Sequence, residues 1–429
     1  VLGDGVMYRC HAFILEYLGQ EREISMGNGR GSKTVTMENY YFDDVVDRRG
    51  SYSASYDFMA HAYGEEVISL AIAEMDILTC PDVRKAVRQA TEYGVYSYTD
   101  VPHEFGQACS HWFKNVHGWS FPDSHVLFSP RIIELIAAIV NHVIPRARVG
   151  TFSPFYGPIV QTIRKTGGGV LTCSLSPDPE GVWRFDEAEV SALFTEIDIF
   201  LLTNPHNPTG RVWSEQELTH IAKAARENGV LIISDDIHCD IVSTGATWRP
   251  IAQLCSEESI DADVITCVSP AKSFNMAGLE AAAAVISHSD LRERVFDALQ
   301  MSGIHNPNYF AIPAALAAWN SDGTWLRSLN KYLAANSDFT VAELGDGDPQ
   351  IALYRPESTY LLWGHAPDLL PDASACHELS RRARVLISPG ENFGSEWNGY
   401  FRIGVALPRP RLRIAVGRLK NQINAMRKD

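Results

Sequence analysis

The sequence lacks the cysteine and histidine patterns that mark metal sites. None of its eight cysteines forms a CxxC pair, and none of its 14 histidines falls in an HExxH motif. Zinc modules and common metalloenzymes are built on such spacings, so we expect no metal in the functional site. Scattered thiols of this kind are typical of reduced, buried cysteines, which predicts a cytoplasmic protein.

Positive charge and long apolar runs are also scarce. The chain has 37 Lys and Arg against 52 Asp and Glu, which leaves a net charge of -15. Nucleic acids and anionic membranes repel a protein of this charge. No apolar run is long enough for a membrane span, and "AFILEYL" (12–18) follows no basic stretch of the kind that opens a signal peptide. We therefore predict a small-molecule partner, no nucleic acid and no membrane.

The length of the chain predicts more than one domain. At 429 residues it exceeds one ordinary hydrophobic core, so a large and a small domain are expected. Residues 1–40 differ from the rest and contain "MGNGRGSK" (26–33), a composition typical of a linker, which predicts an N-terminal extension. Because the chain opens on Val1, we expect it to be a piece of a longer protein.

Helical and apolar segments alternate from about residue 84 to 320. "SEQELTHIAKAAREN" (214–228) opens with a capping box, Ser214 and Glu217, and Gly229 follows it as a stop signal. Short apolar runs at 197–203, 230–234 and 263–268 read as buried strands. This alternation predicts an α/β fold with a mainly parallel sheet and helices on both faces.

Polar residues follow each of these three strands. Asn207 lies in "NPHNPTG" (204–210), Asp235 directly follows "VLIIS", and Lys272 follows "DVITCV". Open α/β sheets bind their ligands at the carboxyl ends of the strands, so the three residues are candidates for one site. Taken singly, each has a plainer interpretation: a turn asparagine, a helix-capping aspartate and a solvated loop lysine.

In that order, "NPHNPTG", "SDDIH" (234–238) and "SPAKSFN" (269–275) resemble fold-type I pyridoxal-phosphate enzymes. The chain is similar to their carbon-sulfur β-lyase branch, the cystathionine β-lyase-like enzymes, which stand beside the class I and II aminotransferases. The similarity covers residues 41–425. It implies a seven-stranded, mainly parallel sheet in a large cofactor domain (85–319). It also implies a smaller α+β domain built from both chain ends (41–84 and 320–429).

The resemblance assigns the catalytic and ring-binding residues. Lys272 matches the lysine that holds the pyridoxal aldehyde covalently and later serves as a base. Asp235 matches the carboxylate at the ring nitrogen, and Tyr156 the aromatic that stacks on the ring; these three are the predicted catalytic residues. Asn207 matches the residue that binds the phenolic oxygen. His238 stands where many relatives have tyrosine, and is implied to assist at the same oxygen or to be a core histidine.

The resemblance also assigns the ends of the site. For the cofactor phosphate it implies the backbone N–H groups of Arg131 and Ile132, the hydroxyl of Ser269 and the hydroxyl of Tyr98 from a neighbouring subunit. A homodimer with shared active sites follows from that role of Tyr98, which also places it at the substrate. Arg402 in "YFRIG" is implied to bind the substrate α-carboxylate. The family commonly has asparagine two residues later, where this chain has Gly404.

Glu280 favours a lyase over an aminotransferase. Aminotransferases usually have an arginine eight residues after the lysine, where this chain has Glu280. We expect cleavage of a cystathionine-, cystine- or thiocysteine-like substrate to pyruvate, ammonia and a thiol or persulfide. An aminotransferase and a regulatory binding protein remain alternatives. Similar lyase domains occur in polyketide synthases of the leinamycin type, so a carrier-bound cysteine adduct is a further candidate substrate.

Overall fold

The structure, a computed structural model, describes residues 40–59, 63–64, 66–243 and 245–427. The predicted extension over residues 1–40 lies outside them except for Tyr40. Within the described ranges, no helix combines the length and the apolar character needed to cross a membrane.

Strands and helices alternate through most of the chain. The strands are β1 (Ile68–Ser69), β2 (Val126–Ser129), β3 (Arg148–Ser153), β4 (Gly169–Ser174), β5 (Ser176–Pro177), β6 (Trp183–Arg184), β7 (Ile199–Thr203), β8 (Leu231–Asp235), β9 (Val264–Val268), β10 (Ala282–Val285), β11 (Ala352–Tyr354), β12 (Leu361–His365), β13 (Val385–Leu386), β14 (Ser388–Pro389) and β15 (Tyr400–Gly404). The α-helices are α1 (Pro81–Glu92), α2 (His103–His117), α3 (Ile132–Ala138), α4 (Gly157–Lys165), α5 (Glu187–Phe194), α6 (Glu215–Asn228), α7 (Ile251–Glu257), α8 (Pro270–Ser273), α9 (Ser289–Met301), α10 (Ala311–Trp319), α11 (Thr324–Leu344), α12 (Ala373–Ala383) and α13 (Arg409–Met426).

A seven-stranded sheet forms the centre of the larger part. Its strand order is β2-β10-β9-β8-β7-β3-β4, and only β10 runs antiparallel to its neighbours. Successive side chains of one strand enter different cores: Ile232 packs in a cluster with Ile221 of α6, and Ile233 in a cluster with Leu135 of α3. Because both faces are covered by helices, the central strands β7, β8 and β9 are almost entirely buried and mainly apolar. The predicted α/β fold with a mainly parallel sheet is confirmed.

Local signals in the sequence account for the best-defined helix. The side chain of Ser214 accepts a hydrogen bond from the backbone N–H of Glu217, and the carboxylate of Glu217 accepts one from the backbone N–H of Ser214. Gly229 ends the helix with a φ of 65°, a left-handed conformation that glycine adopts at little cost. The predicted capping box and stop signal are both confirmed, and they set where β8 begins.

Both ends of the described chain contribute to a second group of strands. A four-stranded antiparallel sheet has the order β11-β12-β15-β14, and β1 pairs with β13 at a sequence separation of more than 300 residues. The four-stranded sheet lies within the predicted small domain, and the seven-stranded sheet within the predicted large one. The domain boundaries at residues 84 and 320 stay a prediction.

One buried carboxylate links several helices below the site. Asp240 accepts hydrogen bonds from Nε1 of Trp112 (3.0 Å) and from Oγ of Ser273 in α8 (2.6 Å), and its Oδ1 lies 2.7 Å from Nε2 of His117. Its backbone carbonyl accepts a bond from Asn330 of α11. Burial alone would raise the pKa of Asp240, but the bonds from His117, Ser273 and Trp112 outweigh burial and lower it. The carboxylate therefore fixes α8 against α2.

We expect Asp240→Asn to lower the free energy of unfolding by about 2 kcal/mol at neutral pH, because an amide cannot replace both carboxylate oxygens, which form hydrogen bonds with Trp112, His117 and Ser273, and a buried polar group without its partner is costly. The advantage of wild type should disappear as the pH falls through the lowered pKa of Asp240. Urea unfolding at several pH values measures both effects. Asp263→Asn is the matched control, since Asp263 pairs with His288 at the surface (2.6 Å) and should change stability by less than about 1 kcal/mol.

Candidate active site

The carboxyl ends of three neighbouring strands converge at one edge of the sheet. In the register of β7, β8 and β9, Thr203 lies beside Asp235 and Asp235 beside Cys267. After β9 the chain passes through Ser269 into α8, which carries Lys272. Parallel pairing therefore brings together residues that are far apart in the sequence.

A cavity of about 400 Å³ opens at this edge. Apolar side chains form part of its wall, among them Ile133, Ile159 and Ile237. Eight of the residues predicted from the sequence also line it: Arg131, Ile132, Tyr156, Asn207, Asp235, His238, Ser269 and Lys272. Mixed walls of this kind, mainly apolar with a few convergent polar groups, are typical of cofactor sites.

Lys272 is an amine in an unfavourable place for a charge. Its Nζ donates a hydrogen bond of 2.5 Å to the carbonyl oxygen of Ala73. Burial and the nearby positive charge of Arg402 lower the pKa of Lys272 to about 8, although Glu74 and Asp235 oppose the shift. About a tenth of Lys272 is therefore unprotonated at pH 7, far more than of an ordinary lysine, which favours a role as a nucleophile or a base.

Asp235 ends β8 inside the cavity. Burial raises its pKa to about 6, while a hydrogen bond from the backbone N–H of Ile237 (3.3 Å) and the charge of Lys272 act in the opposite direction. A buried carboxylate at this position lacks a full set of partners among the described residues. It is suited to pair with a cationic group of a ligand.

Arg402 and Asn207 form one unit although 195 residues separate them. Nη1 of Arg402 donates to Oδ1 of Asn207 (3.0 Å), and Nη2 donates to the carbonyl oxygen of Ala71 (2.8 Å). The guanidinium carbon lies 4.6 Å from the ring centre of Phe393. Burial lowers the pKa of Arg402 to about 10, with Tyr156 and Tyr360 opposing. These contacts support the arginine where Gly404 replaces the asparagine of the family.

A second cavity of about 630 Å³ adjoins the first, and Ala73, Tyr156 and Lys272 line both. Arg402 lines this second cavity. Tyr156 thus stands between the two spaces, and burial raises the pKa of its hydroxyl. The second cavity leaves room beside Lys272 for a larger ligand than the first cavity alone could admit.

Three buried polar atoms near the site lack partners among the described residues: Nδ1 of His238, Nε of Arg402 and the hydroxyl of Tyr360. Burial, with the charges of Lys272 and Arg402, lowers the pKa of His238 to about 3, so its imidazole is neutral. Its ring meets that of Tyr360 edge-on, with 5.9 Å between ring centres. Buried polar atoms in folded proteins normally have partners, and because His238 lines the cavity, its Nδ1 can bind a polar ligand there.

Ser269 lines the first cavity and caps the N-terminus of α8. Its hydroxyl accepts from the backbone N–H of Ala271 (3.0 Å) and donates to the carbonyl oxygen of Ala281 (2.6 Å). Arg131 immediately precedes α3, and Ile132, the first residue of that helix, is buried. All these residues lie where the resemblance implies a phosphate, and their roles toward it stay predictions.

Tyr98 lies outside both cavities of its own chain. Its side chain is 93% exposed, in a segment that also exposes Tyr93 and Val95. The sequence-based prediction places Tyr98 at a neighbouring subunit, and a single chain does not test that prediction.

Sequence reasoning missed the backbone acceptors of the site. The carbonyl oxygens of Ala71 and Ala73 bind Arg402 and Lys272, and both alanines lie in "AIAEMDI" (71–77). No role toward the site can be read from that stretch of sequence, because a carbonyl group is the same whatever the side chain. Its proximity to both cationic residues is a product of tertiary structure.

Comparisons with known proteins agree with this geometry. Residues 65–419 match the family model "Aminotransferase class I and II". Cystathionine beta-lyase PatB of Bacillus subtilis (strain 168) is 29% identical over 384 residues, which cover 88% of this chain and 98% of that protein. Protein MalY of Escherichia coli (strain K12) is 30% identical over 393 residues, which cover 90% of this chain and 99% of that protein.

Among solved structures, the PLP-bound C-S lyase from Staphylococcus hominis has a TM-score of 0.82 and 29% identity, and the match covers 90% of this chain and 98% of that chain. The similarity thus extends over the whole described fold rather than over single motifs. The chain belongs to the class I and II aminotransferase family.

Proposed function

We propose that this chain is a pyridoxal-phosphate-dependent carbon-sulfur β-lyase that acts on a cysteine-derived, S-substituted amino acid. One observation carries the proposal: Lys272 and Asp235 line the same cavity, and each has its pKa displaced toward neutrality. The names of the relatives, a cystathionine beta-lyase and a C-S lyase, support the same reaction class.

The residues around the cavity fit pyridoxal phosphate. Lys272 offers an amine to the aldehyde, and Asp235 offers a carboxylate to the ring nitrogen. The unpartnered Nδ1 of His238 is a buried polar atom that a ligand oxygen can satisfy. When bound, this cofactor supplies an electron sink for the carbanion at the substrate α-carbon.

Each residue then has a defined task. Lys272, with its pKa of about 8, removes the proton from the substrate α-carbon. Asp235 keeps a proton on the ring nitrogen, and Arg402 binds the α-carboxylate through its planar guanidinium. The carbon-sulfur bond breaks with its electron pair on sulfur, which departs as a thiol or persulfide. The remaining three-carbon fragment hydrolyses to pyruvate and ammonia.

The second cavity gives the departing group a place. Its volume of about 630 Å³ adjoins Lys272 and exceeds what a small thiol needs. We propose a small-molecule sulfur amino acid such as cystathionine or cystine as the substrate. A carrier-bound cysteine adduct of the leinamycin type is the narrower proposal. We also propose that the enzyme is cytoplasmic, since its cofactor and substrates are small soluble molecules.

The test is pyruvate release from cystathionine and from cystine, measured with and without a keto-acid acceptor. The lyase forms pyruvate without an acceptor. Amino acid formation that depends on the acceptor, with no pyruvate, would instead identify an aminotransferase. Binding without either product would favour a regulatory role.

We also propose a homodimer in which Tyr98 completes the partner's site. Mixing a Lys272→Ala chain with a Tyr98→Phe chain should then restore activity, because one site of the heterodimer receives an intact lysine and an intact tyrosine. Tyr98→Phe alone should lower activity about tenfold or more, the usual effect of one lost hydrogen bond to a charged group.

Tyr93→Phe is the matched control, since Tyr93 is exposed in the same segment and should leave activity unchanged. Size-exclusion chromatography of each mixture gives the oligomeric state. A fully active monomer, or a mixture that gains no activity, would contradict the shared site.

A further inference from the structure

An ion pair at the cofactor cavity joins two residues that depart from the patterns described for relatives, Arg131 and Glu280. Arg131 lines the cavity, and its Nη2 contacts Oε1 of Glu280 across 149 residues of sequence. The arginine side chain is 52% exposed and the glutamate side chain 31% exposed. Branch members often have a small residue in place of Arg131, and aminotransferases have an arginine in place of Glu280. In this chain the cation is therefore supplied by Arg131, whose side chain contacts the residue that stands at the arginine position of aminotransferases.

Arg131 is well placed to meet a dianion. Among the described residues that line the cavity, only Arg131 and Lys272 are lysines or arginines. In the proposed function Lys272 reacts with the aldehyde of the cofactor, so it does not serve the phosphate. Ser269 and Ala281, joined by a hydrogen bond, lie with Arg131 along the remaining wall, and Ala281 directly follows Glu280 in the chain.

Within the described part of the chain, the Arg131 guanidinium has one hydrogen-bond acceptor. Nη2 bonds to Glu280, and the other N–H groups have no acceptor among the described residues. A guanidinium has a planar set of five donors, so it can bind two anions at once in fixed geometry. Lysine in the same place would present a point charge without that fork.

Glu280 has a backbone conformation that is unfavourable for a residue other than glycine. Its φ of 57° lies in the left-handed region, which costs a residue with a Cβ atom roughly 1 kcal/mol or more. A second acid, Glu134 of α3, is near: burial raises its pKa, Arg131 lowers it and Glu280 raises it further. Two carboxyl groups thus surround Arg131, and both would repel a phosphate that Arg131 did not neutralise.

We infer that the Arg131 guanidinium bridges Glu280 and the cofactor phosphate, and that Glu280 both orients this arginine and weakens cofactor binding by its own charge. The inference rests on the proposed function, because it uses the cofactor orientation proposed there. It makes Arg131 the phosphate counterion of this chain and Glu280 a positioning residue that tunes cofactor affinity.

The test is spectroscopic titration of cofactor-free protein with pyridoxal phosphate and with pyridoxal, which lacks the phosphate. Arg131→Gln should raise the dissociation constant of pyridoxal phosphate about tenfold or more and leave that of pyridoxal within about twofold. Glu280→Gln should lower the dissociation constant of pyridoxal phosphate by a few-fold, because a negative charge beside the dianion is removed. Inorganic phosphate should compete with pyridoxal phosphate in wild type and compete less well in Arg131→Gln.

Arg148→Gln is the matched control. Arg148 is also about half exposed and pairs with an acid, Asp198, but it lines neither cavity at the site. It should change neither dissociation constant. Equal weakening of pyridoxal and pyridoxal phosphate by Arg131→Gln, or weaker binding in Glu280→Gln, would overturn the inference. Binding is measured without turnover. An absence of β-elimination in wild type would therefore refute the proposed function without changing how the dissociation constants are interpreted.

Discussion

Lys272→Ala is expected to abolish both the covalent attachment of the cofactor and β-elimination, with turnover reduced roughly 10³-fold or more. The variant loses the nucleophile for the aldehyde and the base for the α-proton together, and each of these contributes orders of magnitude. The structure supports both tasks, since Lys272 lines both cavities and its pKa is lowered to about 8. Pyruvate release measures the loss of turnover.

Borohydride reduction followed by peptide mapping identifies the attachment point. In wild type the cofactor should be fixed on the peptide that contains Lys272, and in Lys272→Ala no peptide should carry it. Lys223→Ala is the control, because Lys223 lies on the exposed side of α6 and should retain full activity. A labelled peptide that contains another lysine would refute the assignment.

Asp235→Asn is expected to reduce turnover by roughly 100-fold or more while the fold remains intact. An amide cannot hold a proton on the ring nitrogen as a carboxylate does, so the cofactor would lose much of its capacity to accept electrons. The variant should still bind the cofactor through Lys272, which absorbance after gel filtration shows. Wild-type turnover in Asp235→Asn would remove this residue from the mechanism.

The same substitution has an opposite effect on the stability of the cofactor-free protein. Burial raises the pKa of Asp235 to about 6, so the folded chain binds this proton more tightly than the unfolded chain does. Ionisation of Asp235 therefore destabilises the fold as the pH rises through that value. Cofactor-free Asp235→Asn should be more stable than cofactor-free wild type by about 2 kcal/mol near pH 8, with no difference near pH 4. Urea unfolding at the two pH values measures this, and equal stabilities near pH 8 would contradict a buried, costly carboxylate.

The sequence by itself determined the elements that local chemistry encodes. The capping box of Ser214 and Glu217 and the glycine after it set the ends of α6, since caps and turns depend on residues within one or two turns of each other. Apolar runs of strand length between helices determined the parallel sheet. The sequence also identified Asn207, Asp235 and Lys272 as site candidates, because each stands at or shortly after the end of a strand and parallel strands end at a common edge.

Tertiary structure alone decided how these residues are supported. Arg402 reaches Asn207 and the carbonyl oxygen of Ala71 across distances in sequence that leave no local pattern, and a backbone carbonyl has no residue-specific signal. The pairing of Arg131 with Glu280 is likewise invisible in sequence, where both residues read as isolated departures from the family. Side-chain charges interact over a few ångströms in space, whatever their separation along the chain, so only the folded arrangement of the strands decides which charges meet.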